Sequence, residues 1–403
     1  MTNPIDPTLL MQGCPPPPEY RVDLRNWQQY PQKIWSHQHV DELFGTRTMR
    51  RAGPVSELPA APRALDHLIV DAAGHAPMDW PQMLRTTHTD AMLVLHRGRI
   101  VDERYFNGMT PARRHLMFSA TKSMAGLMAL TLVEEGRLDA DALVGSLLPE
   151  LAASAWAGAT VRQVMDMTDG VEFSEVYTDE TSDIFSYVAA VGWVPQMRDP
   201  AESKGILAML PTLQRLQDEP RGSAFRYRSP ATDVTAWLAM RAAGLSLTRW
   251  LEERLWSRLG MEQDAYMMLD PAGTEVSFAG MNATLRDLGR LGQLLLQRGL
   301  WQGERLLPAS VADILARGGD PRAFQYGNFP TRAGWCYRSQ WWVNPNAPRS
   351  YAASGAFGQM LYVFPDHELV IVKYGSHPNP VTAVVDPIHQ RAFAVLIAEL
   401  ERG

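Results

Sequence analysis

Apolar residues recur with the spacing of strands near both ends of the chain and with the spacing of helices between them. Two short apolar runs, 91–96 and 99–101, flank Arg97-Gly98 and predict a β-hairpin. Further strands are predicted over three later segments, 334–343, 359–364 and 368–374. Because the connections between neighbouring strands are short, we expect antiparallel pairing.

Helical spacing dominates the middle of the chain. A helix is predicted over 119–135, ended by Gly136, and its apolar centre of about ten residues is too short to cross a membrane. The stretch 140–285 has a helical pattern broken by Pro, Gly and acidic loops. Individual helices are predicted over 161–167, 232–243, 248–259 and 284–297, and a long last helix ends near Leu400.

These elements predict an α+β fold, in which helices flank an antiparallel sheet and a mainly helical subdomain is inserted into it. We expect residues 61–140 and 285–403 to form the α/β part and residues 141–284 the helical part. The active site is expected between the two parts. Residues 1–60, which include a run of four prolines, are predicted to form an extended arm laid over the folded body.

Composition places the chain among ordinary globular proteins. Its 403 residues are 46% hydrophobic, and the net charge of −6 comes without a basic block, which argues against nucleic-acid binding. Two cysteines are too few for a disulfide framework and fit a reducing compartment. The residues before Cys14 lack a basic region and an apolar run, so no signal peptide is predicted. We therefore expect a cytoplasmic protein that does not bind membranes.

The basic residues are unevenly divided, because only four of the 38 are lysines: Lys33, Lys122, Lys204 and Lys373. Arginine serves for surface charge but does not lose its proton in a protein, whereas lysine can. Each lysine is therefore a candidate for amine chemistry, although the base composition of a genome alone can produce such a bias.

Ser119-Ala120-Thr121-Lys122 is the most informative tetrapeptide. Positions i and i+3 of a helix share a face, so the Lys122 amine can reach the Ser119 hydroxyl. A serine becomes nucleophilic when a base takes its proton, and a lysine can be that base when burial lowers its pKa. A serine at a helix start also places backbone N–H groups near a developing oxyanion. The ordinary alternative is an exposed serine beside a surface lysine.

Two downstream segments offer partners for this pair. Tyr227, in the triplet Tyr227-Arg228-Ser229, has a hydroxyl that can carry a proton to the leaving group. Small residues in the segment 353–358 let backbone approach a substrate, and the Ala356 N–H can complete an oxyanion hole with that of Ser119. Each segment alone also fits ordinary structure, so the order S-x-x-K, Y-x-S, x-S-G carries the argument. The other three lysines lack a nucleophile partner and are interpreted as ordinary surface or strand lysines.

With its motifs in this order, the chain resembles the penicillin-recognising serine hydrolase superfamily in its class C β-lactamase-like branch. Within the branch it is most similar to the 6-aminohexanoate-dimer (nylon-oligomer) hydrolases and related carboxylesterases, over nearly the whole chain. The resemblance rests on these segments: 118–123, 134–139, 164–167, 225–229, 232–234, 284–288, 340–342 and 357–359.

The resemblance implies a role for each matching residue. Ser119 would be the nucleophile, Lys122 its base and Tyr227 a proton shuttle, and the N–H groups of Ser119 and Ala356 would form the oxyanion hole. Tyr177 matches a tyrosine on the mobile loop that covers the substrate. The other residues expected to contact substrate are Val188, Ser229, Phe278, Trp342, Ser354, Gly355 and Phe357.

Departures from the family pattern bear on the substrate. Ala353 occupies the position of the cationic or polar residue that holds a β-lactam carboxylate, and no class A type E-x-x-L-N segment is present. Val188 and Phe278 stand where good nylon-oligomer hydrolases have polar residues, so an aminohexanoate ammonium receives less electrostatic help. The sequence therefore predicts a serine hydrolase acting on a more apolar ester or linear amide through an acyl-enzyme on Ser119.

Other functions remain as alternatives. One is β-lactam hydrolysis of the β-lactamase or DD-peptidase type, and another is a non-catalytic ligand-binding protein on the same fold. The run 37–42 resembles a zinc motif, but its sixth residue is Glu and no apolar strand precedes it, so His37 and His39 are interpreted as surface histidines. His115 and His377 are interpreted as structural or rim residues. We expect no metal and no cofactor, a small-molecule ester or amide as the partner, and an assembly compatible with a homodimer.

Overall fold

The computed structural model describes residues 5–193 and 204–402. The strands are β1 (Thr46–Met49), β2 (Ile69–Val70), β3 (Met78–Asp79), β4 (Thr89–His96), β5 (Arg99–Tyr105), β6 (His115–Leu116), β7 (Ala265–Met268), β8 (Met281–Ala283), β9 (Leu300–Trp301), β10 (Glu304–Arg305), β11 (Cys336–Arg338), β12 (Trp341–Asn344), β13 (Ser350–Gly355), β14 (Gln359–Phe364) and β15 (Leu369–Gly375). The helices are α1 (Lys33–Ser36), α2 (Trp80–Thr86), α3 (Lys122–Glu134), α4 (Val144–Leu147), α5 (Val161–Met165), α6 (Asp183–Ala190), α7 (Ile206–Met209), α8 (Ser229–Ala243), α9 (Leu247–Leu251), α10 (Leu285–Leu296), α11 (Ala309–Arg317), α12 (Pro321–Phe324) and α13 (Asp386–Glu401).

The main sheet has seven antiparallel strands in the order β11-β12-β13-β14-β15-β4-β5. The predicted hairpin is confirmed as β4 and β5, and β14 and β15 also lie where strands were expected. The segment 334–343 is corrected from one strand to two, because Ser339 and Gln340 have positive φ and turn the chain between β11 and β12. The apolar pattern does not predict β13, whose sequence is rich in small residues.

A second sheet, with the order β1-β7-β8-β6, corrects the expectation of a helical pattern throughout 140–285. Both β7 and β8 lie in that range and are only four and three residues long, too short for a clear alternation. Residues 194–203 of the same range lie outside the described residues. Because β6 ends at Leu116, the sheet anchors the chain directly before Ser119.

Helix α3 confirms the predicted core helix and is buried along nearly its whole length. It packs against α8, and a Cβ at Gly126 would overlap the carbonyl oxygen of Ser339. Glycine is therefore needed at this position so that α3 can contact the turn between β11 and β12. Helix α3 also contacts β12, a strand of the main sheet.

The other long helices follow the predicted segments. Helices α5, α8, α10 and α13 lie within or close to the segments expected for them. Helix α9 ends at Leu251 and continues as a π-helical turn, Glu252–Trp256, so the helix predicted over 248–259 is irregular. Among the helices in ranges 5–193 and 204–402, none combines the length and apolarity needed to span a bilayer.

The N-terminal arm is not uniformly extended, which corrects the expectation for residues 1–60. Its described part contains short 3₁₀ turns, the single-turn helix α1 and strand β1, which pairs with β7. Trp27 and Lys33 of the arm are buried against the rest of the molecule. The division of the chain into an arm, an α/β part and a helical part stays a prediction.

Candidate active site

Ser119 lies in a 3₁₀ turn that leads directly into α3. Phe118, just before it, has a φ of 45°, and this left-handed conformation costs a residue with a side chain about 1–3 kcal/mol. Met281 of β8 holds the turn at two points. Its carbonyl oxygen accepts from the Met117 N–H at 2.9 Å, and its own N–H donates to the Thr121 hydroxyl at 3.1 Å. The turn is therefore a braced, strained structure rather than an ordinary helix start.

Lys122, the first residue of α3, directs its amine into the protein, where the side chain is 1% exposed. The amine donates to Ser119 Oγ, to Ser229 Oγ and to the carbonyl oxygen of Phe278, each at 3.0 Å. All three N–H bonds of the protonated amine thus have an acceptor. The predicted contact between positions 119 and 122 is present.

The surroundings of Lys122 shift its proton affinity. Burial lowers the pKa of the amine from its usual 10.5 to about 8, while the negative charges of Glu175 and Asp233 oppose that change. A larger fraction of this amine is therefore neutral near pH 7 than of an ordinary lysine. A neutral amine hydrogen-bonded to a serine hydroxyl can accept its proton.

Tyr227 is held between a buried ion pair and an aromatic cluster. The next residue, Arg228, is paired with Asp169 at 2.5 Å, and both side chains are almost completely buried. The Tyr227 ring stacks on Trp342, with 5.4 Å between centroids and 27° between planes. Trp342 therefore supports the Tyr227 ring by stacking on it.

The Tyr227 hydroxyl is kept in its protonated form. Burial and the charge of Glu175 raise the pKa of Tyr227, while a hydrogen bond with Ser119 lowers it. The Lys122 Nζ lies 5.0 Å from the centroid of the Tyr227 ring. A protonated tyrosine hydroxyl therefore lies beside the Ser119 hydroxyl.

The end of β13 lies directly against the Ser119 turn. A Cβ at Gly355 would overlap the carbonyl oxygen of Met117, so glycine is required for this approach. Gly355 has an extended backbone with a φ of −130°, which any residue can adopt. Glycine is therefore required here only because there is no room for a side chain. Ala356 follows, and then Phe357 with a φ of 62°, a second strained residue beside the site.

A cavity of about 250 Å³ opens in front of Ser119 and Ala356. The predicted contact residues Tyr177, Val188, Phe278 and Phe357 are in its walls. Its other lining residues are Gln28, Lys33, Phe118, Ile184, Phe185, Trp193, Ala279, Pro378 and Pro380. The walls are mainly apolar and contain no Asp or Glu among the described residues.

Four residues expected to contact substrate lie outside these walls. Ser229 is fully buried and accepts from Lys122, Trp342 stacks on Tyr227, and Ser354 and Gly355 end β13 just before Ala356. Ser229 and Trp342 contact Lys122 and Tyr227, respectively. That the four residues touch a bound substrate stays a prediction.

Glu175 is a site residue that the sequence did not reveal. It accepts from the Ser229 N–H at 2.6 Å and from the Ser229 hydroxyl at 2.9 Å, and it also accepts from the Tyr177 hydroxyl at 2.7 Å. Its carboxylate thereby connects the loop that carries Tyr177 with the serine that contacts Lys122. Position 175 has no motif of its own, and its proximity to Tyr177 in sequence was the only signal.

Lys33 and Lys373 are both buried, which corrects the view of Lys33 as an ordinary lysine. Lys373 lies in β15, as a strand lysine should, and donates to the carbonyl oxygens of Thr87 and Gly358. Lys33 lines the cavity in front of Ser119. Lys204 is exposed. The scarcity of lysine made Lys33 one of four candidates for amine chemistry, but its place in the cavity wall is visible only in the folded structure.

The histidines of the zinc-like run are not surface residues, which is a second correction. His37 is fully buried and packs edge-on to Phe118, and His39 is half-buried and stacks on Trp35. His115 is buried beside Asp90. Over the described ranges, no group of three or more His, Cys, Asp or Glu side chains is arranged to hold a metal ion.

The Ser–Lys pair and the antiparallel sheet define a β-lactamase-like protein, and sequence comparison agrees. The profile of the Beta-lactamase family matches residues 82–395, and the chain belongs to that family. The predicted resemblance is therefore confirmed.

Three individual proteins show which members of the family this chain is similar to. The chain is 32% identical to the 6-aminohexanoate-dimer hydrolase of Paenarthrobacter ureafaciens over 361 residues, 89% of each chain. Its structure is similar to that of a Bacillus anthracis protein whose name proposes a 6-aminohexanoate-dimer hydrolase, with a TM-score of 0.85, 29% identity and coverage of 96% of this chain and 99% of that one. A family VIII carboxylesterase shares the fold, with a TM-score of 0.55, 17% identity and coverage of 78% and 97%. The predicted fold class is confirmed.

Proposed function

We propose that this protein is a serine hydrolase that cleaves a carboxylic ester or linear amide through an acyl-enzyme on Ser119. The observation that carries the proposal is the 3.0 Å contact between Lys122 Nζ and Ser119 Oγ, made by an amine with a pKa of about 8. An amine of that pKa can take a proton near neutral pH, whereas an ordinary lysine cannot. The 32% identity to a dimer hydrolase supports the reaction class.

The proposed proton path uses three side chains, of which Lys122 and Ser119 are in direct contact. Neutral Lys122 accepts the Ser119 proton as Oγ attacks the substrate carbonyl, and the N–H groups of Ser119 and Ala356 stabilise the oxyanion. Tyr227 donates its proton to the leaving alkoxide or amine and regains one from the Lys122 ammonium. Water then attacks the acyl-enzyme, with Lys122 again as base, and the Ser119 hydroxyl is restored.

Most of the cavity wall suits the methylene groups of an acyl chain. Val188 and Phe278 present no charge, and Ile184 and Trp193 extend the apolar surface. Ala353, fully buried in β13, offers no cation for a β-lactam carboxylate. These features favour an ester or amide with a linear acyl chain, apolar along the part that contacts these side chains, over a β-lactam.

Covalent labelling tests the nucleophile directly. After reaction with a fluorophosphonate, mass spectrometry should find one adduct, and fragmentation should place it on Ser119 rather than on buried Ser123. The Ser119→Ala variant is the matched control and should remain unlabelled with an unchanged circular dichroism spectrum. A label on another serine, or ester hydrolysis that persists in Ser119→Ala or disappears with a chelator, would contradict the mechanism.

Glu175 is proposed as a positioning residue that acts through Lys122. In the wild type, kcat/KM should rise with pH up to about 8, since the base must lose its proton. The carboxylate of Glu175 raises the pKa of Lys122, so Glu175→Gln should move this rise to lower pH. The pH profile of ester hydrolysis measures the shift. A lower rate with an unmoved profile would mean that Glu175 only maintains the loop structure.

A further inference from the structure

A lysine of the N-terminal arm lies in the wall of the cavity that contains Ser119. Lys33 is the first residue of α1, and its side chain is 2% exposed. Its ammonium lies 3.9 Å from the centroid of the Phe357 ring and donates to the carbonyl oxygen of Pro378 at 2.8 Å. Both of these neighbours line the same cavity. Phe357, the ring under the ammonium, is the residue that directly follows Ala356.

The positive charge of Lys33 is not balanced by a carboxylate. In the part of the chain that the structure describes, every ion pair joins an Asp or Glu to an arginine or histidine, and the cavity walls contain no acid. An ammonium has three N–H donors, and the fold supplies one acceptor and an aromatic face. Burial lowers the pKa of Lys33 to about 8, which leaves it mostly protonated at pH 7. Such a group is a favourable contact for an anion.

The arrangement of the site decides which end of a substrate reaches Lys33. The leaving group must face Tyr227, which is not in the cavity wall and stacks on Trp342 instead. The acyl chain, on the other side of the carbonyl, therefore extends into the cavity. The cavity walls available to that chain include the apolar side chains of Val188 and Phe278 as well as the ammonium of Lys33.

We propose that Lys33 binds a carboxylate at the far end of the acyl chain, so that the preferred substrates are half-esters or half-amides of short dicarboxylic acids. This inference rests on the proposed function and names its substrate class. The 6-aminohexanoyl group carries an ammonium instead, which Lys33 would repel and which Val188 would not stabilise. The expected order of substrates is anionic, then neutral, then cationic acyl chains.

Two esters of equal carbon number test the preference. The ratio of kcat/KM for mono-p-nitrophenyl glutarate to that for p-nitrophenyl pentanoate should fall about tenfold in Lys33→Met, because a charge-assisted hydrogen bond is lost. The ratio of kcat/KM for the glutarate ester to that for the pentanoate ester should be higher in Lys33→Arg than in Lys33→Met, because arginine keeps the positive charge. Lys204→Met removes an exposed lysine and serves as the matched control, with the wild-type ratio. Equal losses on both esters, or an unchanged ratio in Lys33→Met, would overturn the assignment.

A binding measurement separates this inference from the proposed reaction. In Ser119→Ala, free glutarate should raise the Tm and pentanoate should not, and the added change Lys33→Met should remove the glutarate effect. If Ser119 is not labelled and no ester is cleaved but glutarate binds through Lys33, the proposed reaction alone fails. If Ser119 is labelled but glutarate neither stabilises the protein nor inhibits it, the role of Lys33 alone fails.

Discussion

Lys122→Met should lower kcat for p-nitrophenyl pentanoate by about three orders of magnitude, the contribution of a well-placed general base. The methionine side chain has similar length and fits an apolar environment, but it cannot accept the Ser119 proton. Lys122→Arg should fail as well, because a guanidinium keeps the charge and does not deprotonate. Stopped-flow and steady-state assays, with Tm recorded for each variant, measure the effect.

A second buried lysine provides the control for this prediction. Like Lys122, Lys373 is fully buried, and burial lowers the pKa of its amine to about 8. Its amine donates to the backbone carbonyl oxygens of Thr87 and Gly358 rather than to a serine hydroxyl. Lys373→Met should therefore alter stability far more than kcat. If Lys122→Met retained activity while Lys373→Met lost it, the assignment of the base would be wrong.

The pair Ser119 and Lys122 could be predicted because its geometry is local. A separation of three positions in a helix places the two side chains on one face, independently of the tertiary fold. Lys33 and Glu175 are different, because Lys33 reaches Phe357 and Pro378 only after the arm has docked. Contacts between segments that are distant in the sequence, such as those of Lys33 with Pro378 and of Glu175 with Ser229, leave no periodic trace in one sequence. Strands β7 and β8 could not be predicted for the same reason, because they form by pairing with each other and with β1 and not from an extended apolar pattern.

Backbone strain connects the fold to the chemistry. Phe118 and Phe357, the residues next to Ser119 and Ala356, both have positive φ, and their rings lie 4.9 Å apart. Two strained residues in contact are maintained only when the surrounding structure holds them. Here β8 braces one segment and β13 presses against it, so the positions of the two proposed oxyanion donors depend on one close backbone contact.

Gly355→Ala should therefore lower kcat about 100-fold, as expected when one oxyanion donor is displaced. The added Cβ overlaps the Met117 carbonyl oxygen and lies 3.1 Å from the Ala120 nitrogen, so β13 must move away from the Ser119 turn. Overpacking of this kind also lowers the free energy of unfolding by about 1–3 kcal/mol. Ester kinetics and urea unfolding report the two effects separately.

Gly45→Ala is the matched control, because a Cβ at Gly45 would meet no atom within 4 Å and its φ is not positive. That variant should keep both kcat and stability. The fluorophosphonate labelling rate gives a third readout, since a displaced Ala356 N–H should slow formation of the adduct even at saturating reagent. A Gly355→Ala protein that is destabilised but has the wild-type kcat and labelling rate would show that the contact serves folding alone, and the oxyanion hole would then have to be sought elsewhere than at Ala356.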